Sequence, residues 1–202
     1  MLVVVGGHSR NIGKTSVVAG LIAALPQANW TAMKITQHGH GFCVDAGAAC
    51  GCETEYDHLF ALSEETEPSA TDSGRFLAAG AKRSYWLRTA MGQLGHALPA
   101  IREILASSEN VIVESNSLLQ FVKPDLYLVV ADFATADFKD SALRYLDRAD
   151  ALVTVSLDAN SAAGGWTRVA PQLWQSKPRF AARPPEYVSE ELSAFVCAIL
   201  RA

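Results

Sequence analysis

The sequence has no long hydrophobic run, no surplus of basic residues and no even framework of cysteines. No apolar stretch reaches the ~18 residues that a membrane-spanning helix needs, and no basic segment precedes the first hydrophobic residues. The expected location is therefore the cytoplasm, with no membrane partner. Seventeen Lys and Arg against 21 Asp and Glu leave a formal net charge of -4. That balance argues against a body that tracks a nucleic-acid backbone, so any phosphate recognition has to be local. Charged residues make up only 19% of the chain and hydrophobic ones 50%. Disorder is excluded, and elements buried on more than one face are implied. With 202 residues, the expectation is a single domain, 1–202, large enough for a proper core.

Short β-branched runs alternate with helical patterns. Leu2–Val5, Trp30–Ile35, Ser84–Leu87, Val111–Glu114, Leu126–Val130 and Ala151–Val155 read as strands. Several are apolar on consecutive positions, as strands covered on both faces should be. Helices are expected over Lys14–Leu25, Ser73–Gly80, Gly92–Ala106, Asp140–Asp147, Gly165–Gln175 and Ser189–Arg201. The sum is an α/β fold: a doubly wound, mostly parallel sheet with helices on both faces. A further short strand is expected in Lys177–Pro185, among three prolines. The stretch 36–71 is too long for an ordinary strand-to-helix connection and reads as an insertion.

The strongest local signal is Gly6-Gly7-His8-Ser9-Arg10-Asn11-Ile12-Gly13-Lys14-Thr15-Ser16, between the first strand and the first helix. A loop of this kind turns backbone N–H groups inward around phosphate oxygens at a helix N-terminus, where the helix dipole favours negative charge. Ser9, Arg10, Asn11, Ile12, Gly13, Lys14, Thr15 and Ser16 are the expected nucleotide-binding residues. Lys14 is expected to neutralise the β- and γ-phosphates, and the Thr15 hydroxyl to complete the coordination of Mg²⁺. The usual spacing places a glycine where His8 stands, with Gly7 one step earlier. Glu114 ends an apolar strand and is the expected metal-side acid beside Thr15, with Asp132 as the alternative holder. Asp72 precedes a helical pattern and is expected to cap it. The Asn-Lys-x-Asp reader of guanine is absent: Val155-Ser156-Leu157-Asp158 keeps only the aspartate, so ATP and GTP both stay open.

Three of the four cysteines lie inside the insertion, in the order His38, His40, Cys43, Cys50, Cys52, His58. In a reducing compartment such a cluster reads as a metal or redox site sooner than as a disulfide staple. Thiolates and imidazoles at this density suit a tetrahedral Zn²⁺ or an iron-sulfur cluster. The expected ligands are Cys43, Cys50 and Cys52, with either His58 or His40 as the fourth.

Gly7, five residues and then Gly13-Lys14-Thr15 resembles the phosphate loop of dethiobiotin synthetase and its relatives, a P-loop NTPase class that includes accessory proteins of metallocentre and cofactor assembly. Met33-Lys34-Ile35-Thr36-Gln37-His38-Gly39-His40 resembles the Lys-x-x-His-x-His stretch of the molybdopterin-guanine dinucleotide biosynthesis adaptor protein B family. Thr71-Asp72-Ser73-Gly74 running to Ala79-Gly80-Ala81, and Val113-Glu114-Ser115, are similar to two further blocks of that family. Ser115 stands where the family has glycine, and the cysteine-bearing insertion is not part of its pattern. The resemblance implies a three-layer P-loop NTPase with Lys34 facing phosphates or an acyl substrate, so Lys14, Lys34 and Glu114 are the expected catalytic residues. It also implies a Mg²⁺-dependent, slowly hydrolysing accessory protein that works as a homodimer with a client metalloenzyme or cofactor. Two alternatives stand beside it: an ATP-dependent ligase of the dethiobiotin synthetase kind, and a non-catalytic nucleotide- or metal-binding module.

Overall fold

A computed structural model describes residues 1–38, 59–155, 166 and 169–201. In chain order the main elements are β1 (Leu2–Gly7), α1 (Lys14–Ala24), β2 (Trp30–His38), β3 (Phe60–Glu64), α2 (Asp72–Ala78), β4 (Arg83–Ala90) and α3 (Leu98–Ser107). They continue with β5 (Asn110–Glu114), β6 (Leu126–Ala131), α4 (Asp140–Tyr145), β7 (Ala151–Thr154), β8 (Arg179–Ala181) and α5 (Glu190–Leu200). The strands form one eight-stranded sheet in the order β3-β4-β2-β5-β1-β6-β7-β8. Every neighbouring pair is parallel except β3 with β4.

The consecutive apolar residues of β1 are explained by its central place. All six are buried, and alternate side chains enter opposite layers because strand side chains have a period of two. Val3 and Val5 join Val17, Leu21 and Ile22 of α1, Phe76 of α2 and Val196 of α5. Val4 points the other way, into a core with Ile101 of α3 and Tyr145 of α4. The architecture is therefore three layers, α/β/α, as a doubly wound sheet requires.

Two expectations are corrected. The stretch 36–71 is not an insertion throughout: β2 runs on to His38, and Phe60–Glu64 forms the antiparallel edge strand β3. Phe60 and Leu62, two apart, pack against the core, which gives this short segment a reason to pair. The helix expected over Gly165–Gln175 is not formed across 169–175, where the regular element is the 3₁₀ turn Pro171–Leu173. Pro171 lacks an N–H and would break a helix at mid-length. Among the described residues no helix is long and apolar enough to cross a membrane.

Candidate functional site

The carboxyl ends of β1, β2, β5 and β6 lie side by side, the edge of an open α/β sheet where ligands bind. Lys34 of β2 and Glu114 of β5 are register partners. Each stands two residues beyond a residue packed on the α1 side, Ala32 and Ile112 respectively, so both project towards α1. There they meet its first turn. Thr15 Oγ1 donates to Glu114 Oε2 at 2.7 Å, and Lys34 Nζ donates to Glu114 Oε1 at 2.5 Å. Lys34 Nζ also contacts Asp72 Oδ2 at 2.8 Å. The result is a chain of contacts running Thr15, Glu114, Lys34, Asp72.

Glu114 is only 3% exposed, and a carboxylate so deep needs these partners. Burial by itself would lower the Lys34 pKa, but Glu114 and Asp72 outweigh it and hold the ammonium above its ordinary value. Asp72 lies below its usual range, because Lys34 overcomes the opposing effect of burial. The capping role expected for Asp72 belongs instead to Thr71, whose hydroxyl accepts from the Gly74 N–H at 3.0 Å. This frees the Asp72 carboxylate for Lys34.

The loop between β1 and α1 is held open by left-handed residues. Asn11 has φ 53° and Gly13 φ 94°. A Cβ on Gly13 would lie 2.3 Å from the Tyr187 ring, so strain and space both demand glycine there. Lys14 Nζ spans the loop and donates to Ser9 O at 2.9 Å. Burial pushes the Lys14 ammonium down to about 8, and repulsion from Lys139 pushes the same way. Ser16 accepts from Arg75 of α2 at 3.1 Å. Ser9 and Ile12 are buried, whereas Arg10 and Asn11 are exposed.

Asp132 ends up elsewhere. Its carboxylate accepts from Ala134 N at 3.0 Å and Thr135 Oγ1 at 2.8 Å, which engages it in the turn that follows β6. Of the expected metal ligands of the Cys/His cluster, His40, Cys43, Cys50, Cys52 and His58 lie outside the described residues, as does Asp158. His38 ends β2. Trp166 and Trp174 are buried packing groups in one aromatic cluster.

Three contributors carry no obvious sequence signal. The Asn116 amide accepts from Gly7 N at 3.0 Å and donates to Gly7 O at 2.9 Å, fixing the peptide from which the loop departs. A Cβ on Gly6 would collide with Asn116 Oδ1 at 2.1 Å. Tyr187 covers Gly13, and Lys139 donates its N–H to His8 O at 2.8 Å. Each arrives from a distant part of the chain: Asn116 follows β5 and Lys139 follows β6, the two strands flanking β1, while Tyr187 lies between β8 and α5.

The fold has a counterpart among solved structures. HypB from Helicobacter pylori in complex with nickel aligns over 98% of this chain and 86% of its own, at 14% identity and a TM-score of 0.50. The two share a three-layer α/β/α fold around a mostly parallel sheet. No protein-family model and no curated protein matches the chain.

Proposed function

We propose that this chain, acting as one P-loop domain over 1–202, binds a Mg²⁺-nucleoside triphosphate and hydrolyses it slowly as an accessory protein of cofactor or metallocentre assembly. The observation that carries the reading is the hydrogen bond from the Thr15 hydroxyl to the buried Glu114, at the mouth of a loop whose lysine is satisfied by one backbone carbonyl. A hydroxyl that gives its proton to Glu114 keeps its lone pairs for a cation, so Thr15 would hold Mg²⁺ with Glu114 beside it, directly or through water. The hard oxygen donors of Thr15, Glu114 and Asp72 suit that ion. When bound, it supplies charge neutralisation between the β- and γ-phosphates.

The chain's own groups do the rest. The Lys14 ammonium exchanges the Ser9 carbonyl for phosphate oxygens, and the backbone amides at the start of α1 orient the same tail. Lys34 holds Glu114 and Asp72 in place. Water attacks the γ-phosphorus as the bond to the bridging oxygen breaks, and the electron pair leaves with the nucleoside diphosphate. With Lys34 held between two carboxylates, the ligase reading loses the free lysine it would use for an acyl substrate.

The base, adenine or guanine, would lie beyond Gly13, on the side where Tyr187 covers the end of the loop. The Cys/His segment from His40 to His58 would bind a metal such as Zn²⁺, or an iron-sulfur cluster, for a client protein. The structural likeness to a protein solved with nickel supports this assignment. A homodimer in the cytoplasm completes the proposal. Calorimetric titration with Mg²⁺-ATP and Mg²⁺-GTP tests the nucleotide half: binding by the native chain and its loss in Lys14→Ala are expected, and equal affinities would refute it. Metal analysis with an absorption spectrum of anaerobically purified protein tests the other half. Protein free of metal would refute the assignment of these cysteines as ligands.

A further inference from the structure

Residues 132–139, between β6 and α4, form no strand or helix, yet they are tied to the phosphate loop at four points. The Lys139 N–H donates to His8 O at 2.8 Å, and Ser9 Oγ donates to Asp137 Oδ2 at 2.7 Å. The Asp132 N–H donates to His8 Nδ1 at 3.4 Å, and His8 Nε2 reaches Thr135 O at 3.4 Å. His8 thus accepts on one ring nitrogen and donates from the other, as a neutral imidazole does. Burial holds its pKa below the ordinary value, in keeping with that form. The ring is completely buried, with Phe138 at 5.2 Å and Trp166 at 5.1 Å between centroids. A residue that looked like a flaw in the glycine spacing is the peg on which this strap hangs.

The strap brings Lys139 into a crowd of positive charge. Its side chain lies within electrostatic reach of Arg10, Lys14 and Lys34, and of the carboxylates of Asp137 and Glu114. Glu114 and Asp72 are already engaged by Lys34, and Asp137 receives Ser9. Among the described residues no carboxylate lies within ion-pair distance of either Lys139 or Lys14. Two half-buried ammonium groups that repel each other are costly to hold together, and a polyanion between them turns that repulsion into attraction. The strap meets the loop at residues 8–9, while Tyr187 meets it at Gly13, so the two lie at opposite ends. With the base towards Tyr187, the strap stands where the phosphate tail ends.

We propose that Lys139 is a second phosphate-binding lysine, which contacts the terminal phosphate of the bound nucleoside triphosphate together with Lys14. The proposal rests on the nucleotide reading above and adds to it a residue outside the phosphate-loop motif. The strap hangs on the Lys139 backbone N–H, so replacing the side chain leaves its attachment intact.

The test is calorimetric titration of the full chain, with Mg²⁺ and non-hydrolysable ATP and GTP analogues, then with the diphosphates and monophosphates. Native protein, Lys139→Met and Lys139→Arg are compared. Loss of one charge-assisted contact predicts triphosphate affinity about 10- to 100-fold weaker in Lys139→Met. The diphosphate loss should be smaller, the monophosphate unaffected, and most of the triphosphate affinity regained in Lys139→Arg. Unchanged or tighter triphosphate binding by Lys139→Met overturns the proposal, as does an equal loss for all three ligands, the mark of a mere structural prop. Native protein that binds no nucleotide at all would instead bring down the underlying reading, an outcome visible before any variant is made.

Discussion

Glu114 is the residue on which most depends, because two oxygens buried beneath the loop serve two different donors, Thr15 and Lys34. Removing it takes the buried Lys34 ammonium's deeper carboxylate, leaving it Asp72 alone, and takes the acceptor from the Thr15 hydroxyl. Glu114→Ala should therefore cost about 3–5 kcal/mol of stability in urea unfolding, with a clearly smaller loss for Asp72→Ala, whose carboxylate is 41% exposed. Lys14 makes a pH-dependent prediction. Its folded pKa of about 8 lies below the ordinary lysine value, and bound phosphate favours the charged form. Nucleotide affinity should hold below pH 8 and fall as pH rises beyond it, by up to about tenfold per unit. Binding near pH 8.5 should take up a proton, which titration in buffers of different ionisation enthalpy measures. An affinity flat to pH 10 would contradict this. At this scale the meeting of Thr15, Glu114 and Lys34 at one sheet edge matches an expectation drawn from motif, strand-end position and family resemblance. Asp72 was assigned a cap because its pairing with Lys34 joins residues on different elements, which local pattern does not encode.

At the scale of elements, the loop between β1 and α1 depends on what grips it. Asn116→Ala would leave both polar atoms of the Gly7 peptide without a side-chain partner, at a cost of about 2 kcal/mol. It should also weaken nucleotide binding, which thermal unfolding and titration would show together. Gly13→Ala combines a left-handed backbone with a clash against Tyr187. It should abolish binding even if the chain still folds, by the criterion of an unchanged far-ultraviolet spectrum. Strand and helix positions were largely readable, since consecutive apolar runs and 3.6-residue patterns are local signals. The edge strand β3 escaped because five residues with partial burial sit inside a stretch that reads as loop. The helix expected around Pro171 failed for a local reason, the missing N–H, that was present in the sequence and outweighed by the apolar pattern.

For the whole molecule, ligand binding and stability are one equilibrium. Mg²⁺-nucleotide at about 100 times its Kd should raise the melting temperature by about 5–10 °C. Lys14→Ala should show no rise, and a rise in that variant equal to the native one would disprove the assigned site. The chain's own sequence determined the class of fold and the turn between β1 and α1, because burial of alternating or continuous apolar runs and the geometry of a glycine-lysine-threonine turn act over a few residues. Only the tertiary structure decided what surrounds that loop. Asn116, Lys139 and Tyr187 reach it from positions more than a hundred residues away along the chain, through a strand order that places β1 between β5 and β6. Side-chain charge and hydrogen bonding act through space, and no pattern of neighbours along the sequence carries that distance.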